Sequence, residues 1–247
     1  LINHIIFDVD GTLTASRERI DPDFAVWLKR VQVYNKTYIV TGSDKDKITQ
    51  QLGHDIVSSF EACYFCLGNE VWRDHKLEYV SNWKLPTDVE QYLQEKLVTS
   101  SYPLRSGNHI EHRTGMCNFS VVGRNASPSD RSAYYEWDNA NNERKLIVDD
   151  LNMTFPSITA SIGGMISIDI MKPGTDKSQI VKDFPEEDTI YFLGDKMQEG
   201  GNDCSLAEKV LEREDFCFEV RDFHDTAQHL EYFKRLGIII TFRKIKP

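Results

Sequence analysis

Two carboxylates near the start of the chain, Asp8 and Asp10, stand in the run Ile5-Ile6-Phe7-Asp8-Val9-Asp10-Gly11-Thr12. The residues before them read as a fully buried strand, and side chains two apart at a strand's end project the same way. Two carboxylates in one small volume repel unless a cation sits between them or one holds a proton. Both conditions suit phosphoryl transfer, in which one carboxylate attacks phosphorus and the other manages a proton. Gly11-Thr12 permits the tight turn that would expose the pair at the carboxyl edge of a sheet, where open α/β folds bind ligands.

An isolated Asp-x-Asp is a common acidic turn. Here three further segments follow it in the order such a site needs. Thr41-Gly42-Ser43 offers hydroxyls and backbone N–H groups at a helix start, a natural phosphate cradle. Lys177 offers a cation to offset the nucleophile and the phosphate. Gly194-Asp195, with Gly200-Gly201-Asn202-Asp203 after it, adds the loop carboxylates that an oxygen-ligand Mg²⁺ site requires.

The elements that must position these groups alternate as buried strands and amphipathic helices. That alternation predicts a parallel sheet covered on both faces. A strand over residues 2–7 precedes a helix capped by Asp21 and Pro22, with Phe24, Trp27, Leu28 and Val31 on one face. A strand over 38–40 precedes a helix that Ser43 would cap and Gly53 would end. From about Leu77 the alternation stops: a helix (Val89, Tyr92, Leu93, Leu97), extended segments over 109–122, one long helical stretch over 127–155, and a hairpin at Gly163-Gly164. It resumes after Pro173 with a helix near 176–182, a strand over 189–193, a helix near 202–210, a strand over 216–220 and a helix over 226–236. The expected architecture is therefore an α/β core of residues 1–77 and 176–247, interrupted by an α+β block over 78–175.

Composition excludes several classes. With 40% hydrophobic and 28% charged residues, the chain is neither disordered nor membrane-embedded in character. The 29 basic residues against 39 acidic ones leave a formal charge of -10, which argues against general affinity for nucleic acid or anionic membranes. An anionic ligand would need basic residues concentrated locally. Cys63, Cys66, Cys117, Cys204 and Cys217 are odd in number and scattered, and no signal segment is recognisable, so a reducing, cytoplasmic setting is expected. Cys63-Tyr64-Phe65-Cys66 reads as strand, not as a metal pair. His109 and His112 would point to opposite faces of an extended segment. Tyr134, Tyr135 and Trp137 read as packing inside the inserted block. The Asn118-Phe119-Ser120 triplet carries no meaning without a secretory route.

Taken together, the segments resemble the motifs of the haloacid dehalogenase (HAD) superfamily and, in detail, its eukaryotic-type α-phosphomannomutases. The resemblance is carried by residues 7–15, Ile110-Glu111 with Arg113-Thr114-Gly115-Met116, Gly123-Arg124, residues 163–169, Asp176-Lys177, and residues 190–203. It implies a HAD-like Rossmannoid parallel-sheet core with an inserted α+β cap. It also implies that Asp8 becomes an aspartyl phosphate, that Asp10 is the general acid and base, and that Lys177 completes charge neutralisation. Mg²⁺ would be held by Asp8, the backbone carbonyl of Asp10, and Asp195. Arg17, Arg113, Arg124 and Arg131 align with the family's substrate arginines, Ser167 and Asp169 with its sugar-hydroxyl contacts, and either Thr41 or Ser43 would meet the phosphate.

The implied reaction interconverts mannose 6-phosphate and mannose 1-phosphate through a hexose 1,6-bisphosphate, supplying the precursor of GDP-mannose. The implied assembly is a homodimer through the caps. The alternatives are a sugar-phosphate phosphatase of the same superfamily and a non-catalytic binding protein on the same fold. In three places the chain departs from the family pattern: Leu67-Gly68-Asn69-Glu70 stands where a Glu-Asn-Gly turn is usual after the third strand, Thr41-Gly42-Ser43-Asp44 stands where Gly-Gly-Ser-Asp is usual, and the family's second ion-binding loop after Asp203 is not matched.

Overall fold

The computed structural model describes residues 1–241. Strand β1 (Asn3–Phe7) leads to helix α1 (Pro22–Tyr34), β2 (Lys36–Val40), α2 (Lys45–Leu52), the single turn α3 (His54–Val57), β3 (Ala62–Phe65), β4 (Glu70–Arg73) and β5 (Lys76–Val80). The chain continues through α4 (Thr87–Thr99), β6 (Ile110–Arg113), β7 (Met116–Phe119), α5 (Pro128–Asn141), α6 (Glu143–Thr154), β8 (Thr159–Ile162) and β9 (Ile168–Met171). After a 3-10 helix (Lys177–Asp183) it closes with β10 (Thr189–Gly194), α7 (Cys204–Glu212), β11 (Phe216–Glu219) and α8 (Phe223–Leu236).

Two sheets result. The larger has seven strands in the order β11-β10-β1-β2-β3-β4-β5, parallel from β11 to β3 and antiparallel beyond. Ile5, Ile6 and Phe7 are fully buried because β1 lies mid-sheet with apolar layers on both faces. Phe7 is in register with Leu193 of β10 and Ile39 of β2. The ends of β1, β2 and β10 therefore arrive side by side, which brings Asp8, Thr41 and Asp195 to one edge. β5 belongs to this sheet and runs to Val80, two residues past residue 78, the expected start of the inserted block.

The smaller sheet is antiparallel, in the order β6-β7-β9-β8. Its residues sort by the period of two. Cys117, Phe119, Ile168 and Ile170 join Val89, Leu93, Tyr134, Ile147, Val148 and Leu151 of the helices in one apolar cluster. Met116 and Met171 on the opposite face join the core of the larger sheet. Glu111, Arg113, Asn118 and Asp169 share that second face and so look onto the edge where Asp8 lies. The fold is HAD-like, with a Rossmannoid core and a separate sheet in the manner of an inserted cap.

Several local expectations need correction. Ser43 does not cap α2; Asp44 does, accepting from the Lys47 amide at 2.9 Å. The long helical stretch is two helices, broken at Asn142, whose φ of 56° is left-handed, a conformation that Asn tolerates. Asp138 clamps the break by accepting from the Arg144 amide at 2.8 Å and from its Nε at 2.7 Å. The segment from Lys177 is a 3-10 helix, started by the Asp176 side chain accepting from the Ser178 amide and ended at Phe184, whose amide donates to the Val181 carbonyl. Cys63 lies in β3, but Cys66 begins a tight turn with φ 50°. All five cysteines are free. Among the described residues no helix is long and apolar enough to cross a membrane.

Candidate active site

Asp8, Asp10, Arg17, Thr41, Ser43, Arg113, Arg124, Arg131, Ser167, Asp169 and Asp195 line one cleft with about 570 Å³ of space, between the edge of the large sheet and the open face of the small one. Lys177 lies behind that wall and is fully buried. Every residue singled out from sequence is thus brought to one place. Lys196 and Asn118, which were given no role there, also line it, as do Gly42 and Asn202, which sequence reasoning quoted only within the Thr41-Gly42-Ser43 and 200–203 segments.

At one end the charge is negative. Lys177 Nζ donates to Asp8 Oδ1 at 2.6 Å and to Asp203 Oδ1 at 2.7 Å. Lys196 Nζ pairs with Asp195 Oδ2 at 2.5 Å, and its backbone N–H donates to Asp203 Oδ2. Oxygens of Asp8, Asp195 and Asp203 lie within 4.8 Å of one another. Burial pushes the Asp8 carboxyl well above its usual value; Lys177 opposes this, while Asp203 and Asp195 reinforce it. Burial raises the Asp195 carboxyl as well, against the pull of Lys196.

Two glycines make the cluster possible. A Cβ at Gly11 (φ 94°) would stand 2.3 Å from Asp195 Oδ2, and one at Gly194 would stand 2.7 Å from Asp203 Oδ2. Three crowded carboxylates facing two ammonium groups leave uncompensated negative charge. Together with all-oxygen donors, that fits a hard divalent cation. The side-chain cluster includes Asp203, whereas the Asp10 carboxylate turns elsewhere. Its Oδ1 accepts from Gln51 Nε2 at 2.9 Å and from the Arg17 amide at 3.0 Å, and its Oδ2 from Ser43 Oγ at 3.4 Å.

The other end is positive. Arg113 donates to Glu111 Oε1 through Nε at 2.6 Å and to the Gly42 carbonyl through Nη1 at 2.7 Å. Arg124 reaches Glu111 Oε2 and gives Nη1 to Ser167 Oγ at 2.7 Å. Lys47 of α2 also meets Glu111, at 3.2 Å. Arg17 Nη1 and Arg131 Nη2 both donate to the Arg124 carbonyl. Burial pulls Arg124 and Arg131 down to about 10, with neighbouring guanidinium groups adding to the effect. Burial would also lower Arg113, but Asp169 and Glu111 more than offset it. Burial would raise Glu111, yet Arg113, Arg124 and Lys47 overcome it and hold the carboxyl down at about 2. The cluster is short of negative charge near Arg124 and Arg131, which is the condition for taking up an anion.

Sequence reasoning gave Glu111 no role, although it quoted the residue. It missed Gln51, Lys47 and Asn118. Gln51 did leave a signal: a polar residue on the apolar face of α2, beside Ile48 and Leu52.

A family model described as eukaryotic phosphomannomutase matches residues 24–235. The chain belongs to the eukaryotic phosphomannomutase family. The match starts downstream of Asp8 and Asp10, whose place in the cleft is read from the geometry above. Similar relatives include the phosphomannomutase of Arabidopsis thaliana, 35% identical over 214 residues, covering 82% of this chain and 86% of that protein. That of Triticum aestivum is 34% identical over 211 residues, covering 82% and 85%. Among solved structures, a trehalose-6-phosphate phosphatase related protein aligns with TM-score 0.57 at 18% identity, covering 95% of this chain and 98% of that one. A haloacid dehalogenase-like hydrolase from Bacteroides thetaiotaomicron gives 0.57 at 16%, covering 94% and 100%. At such identities the two structures speak for the fold alone.

Proposed function

We propose that the chain catalyses the phosphomannomutase reaction, interconverting mannose 6-phosphate and mannose 1-phosphate through a phosphorylated Asp8. Family membership supports the reaction. The observation that carries the assignment to residues is the pairing, in one cleft, of a carboxylate end built on Asp8 with a guanidinium end built on Arg17, Arg113, Arg124 and Arg131. A phosphatase needs to hold one phosphate. A mutase must hold one while the other reacts, and then accept the molecule turned around.

In this reading Lys177 ties up Asp8 Oδ1 and leaves Oδ2 to carry the phosphoryl group. Asp10 takes the proton from the sugar hydroxyl as its oxygen attacks phosphorus and Asp8 leaves, giving the hexose 1,6-bisphosphate. After reorientation, Asp8 Oδ2 attacks the other phosphoryl group and Asp10 returns the proton to the departing oxygen. Gln51 and the Arg17 amide occupy Asp10 Oδ1, so Oδ2 is the proton-carrying atom. Asp8 and Asp195, with the Asp10 carbonyl, would hold Mg²⁺, and Asp203 would orient Lys177 and the loop. The ion, when bound, neutralises phosphoryl oxygens so that a carboxylate can approach them.

Thr41 is the better placed hydroxyl for the transferring phosphate. It accepts from the Ser43 amide and keeps its own proton, whereas the Ser43 hydroxyl is directed at Asp10. A bound hexose 1,6-bisphosphate would prime Asp8. Pairing of two chains through the caps belongs to the same reading, supported by exposed Val98, Leu146 and Met153 on α4 and α6.

The test is a single-tube assay with Mg²⁺, mannose 1-phosphate and a trace of hexose 1,6-bisphosphate, recording mannose 6-phosphate and free phosphate together. Isomer without free phosphate is expected. Free phosphate without isomer would overturn the mutase reading in favour of a phosphatase.

A further inference from the structure

Asn118 sits in β7, directly opposite Asp169 of β9. It is 3% exposed, on the sheet face that looks onto the cleft, and it lines that cleft. The amide orientation is determined by its partner: Asn118 Nδ2 donates to Asp169 Oδ1 at 2.6 Å, and an ionised carboxylate offers no proton for Oδ1 to accept. Oδ1 is therefore turned away from Asp169. It is buried and has no hydrogen-bond partner among the described residues.

Leaving a buried carbonyl unpaired is costly, and a packed core would hold Leu at this position more cheaply than Asn. A second unmet group lines the same cleft: Arg113 Nη2, buried, contacts Glu111 at 2.6 Å as a charge pair but makes no well-directed hydrogen bond. A hydroxyl group is both donor and acceptor, so it is the ligand chemistry that answers an unmet acceptor and an unmet donor lining one cleft. The Ser167 hydroxyl, whose oxygen accepts from Arg124, still has its proton to give on the same wall. The Asn118-Phe119-Ser120 triplet is buried throughout, so a surface role for Asn118 is excluded.

We infer that Asn118 is a specificity-determining residue that touches the sugar, its Oδ1 accepting a hydrogen bond from one ring hydroxyl of the bound hexose phosphate. The inference rests on the hexose phosphate reading above. Asp169 acts on the same contact by fixing which way the amide faces.

The experiment is a cycle between enzyme and ligand. Dissociation constants are measured by calorimetry, in the presence of Mg²⁺, for wild type and Asn118→Leu with mannose 1-phosphate and with its 2-deoxy, 3-deoxy and 4-deoxy analogues. Asn118→Leu is expected to weaken the parent sugar about tenfold, the worth of one hydrogen bond that leaves a partner unmet. One deoxy analogue is expected to weaken wild type by a similar factor and to lose nothing further with the variant. The other two should lose equal factors with both proteins. Losses that multiply for all three analogues, or an unchanged constant for the parent sugar, would overturn the inference. If Asn118→Leu does not fold, Asn118→Ala is carried through the same cycle, and its thermal midpoint separates loss of fold from loss of contact. Because binding is read apart from turnover, failure of the mutase reading would appear as binding without isomerisation, and failure of this inference as a cycle without coupling.

Discussion

Replacing Lys177 with Met tests the charge arrangement behind Asp8. The ammonium lies 2.6 Å from Asp8 and 2.7 Å from Asp203, with no exposed side-chain area. Met fills similar volume but leaves two buried carboxylates without their counter-charge. Removing one partner from a buried ion pair costs about 3–5 kcal/mol. For a chain of this length that corresponds to a drop of roughly 6–20 °C in Tm. A proton can partly replace the lost cation, which fixes the pH dependence. The Asp8 carboxyl is already held well above its ordinary 3.8 by burial, and it rises further once Lys177 stops opposing that shift. A carboxyl whose folded pKa is raised contributes stability that is fully present below the unfolded value and is lost as pH rises through the folded one. The deficit of Lys177→Met relative to wild type is therefore smallest near the acid end and grows toward neutrality. Thermal melts in chelator across that range measure it, and saturating Mg²⁺ should recover part of it by binding the folded state. Turnover should fall by about 10²–10³, as when one preorganised charge is removed from a transition state. A deficit below about 1 kcal/mol at neutral pH, or one that grows as pH falls, would show that Lys177 is not the counter-charge.

Asp8→Asn should abolish turnover while leaving the fold intact; wild type treated with labelled hexose bisphosphate should retain hydroxylamine-sensitive label, and label retained by the variant would place the phosphoryl group elsewhere. Gly11→Ala forces a side chain into a left-handed backbone position and against Asp195, so it should cost about 1–3 kcal/mol in a melt and shrink the Tm rise produced by Mg²⁺. Glu111→Gln removes the carboxylate that Arg113, Arg124 and Lys47 share; KM for the hexose phosphate should rise about tenfold through lost arginine orientation, and an unchanged KM would reduce Glu111 to a spectator. Since Glu111 is held at about 2 against an ordinary 4.5, its stabilisation is complete above about pH 4.5 and is lost as pH falls toward 2, so the variant's effect should be constant from pH 5.5 to 8.

Much of this site was legible because strand ends are local features. A buried run followed by Asp-x-Asp, Thr-Gly-Ser or Gly-Asp marks where a parallel sheet delivers polar groups, and sheet register then does the rest. The Asp21 cap and Gly53 stop were readable for the same reason, being decided within a few residues. What escaped depends on partners far along the chain. Whether Asp203 or the Asp10 side chain joins Asp8 is settled by Lys177, 169 residues away from Asp8. The direction of the Asn118 amide is settled by β9, 51 residues on. The break at Asn142 escaped because helical periodicity continues on both sides of it, and only Asp138, reaching across to Arg144, shows that the turn between them is specified. Ser43 and Asp44 are both good caps by type, and the choice fell to the one not already directed at Asp10.

The contacts that join the two sheets' elements across the cleft have a common character. Arg113 to the Gly42 carbonyl, Lys47 to Glu111, Arg17 to the Arg124 carbonyl, and the Ile162 amide to the Gly200 carbonyl are all polar. Each exchanges for water at a net cost of about 1–3 kcal/mol, the upper part of that range for those made by a charged group. Met116 and Met171 join the core of the larger sheet and do not line the cleft. Polar contacts of this kind are cheaper to exchange for water than apolar packing is to separate. The mechanism proposed above, in which a bisphosphate turns around beside a phosphorylated Asp8, would be served by such contacts, because a rim closed by apolar packing would hold the bisphosphate in one orientation and one without contacts would admit water.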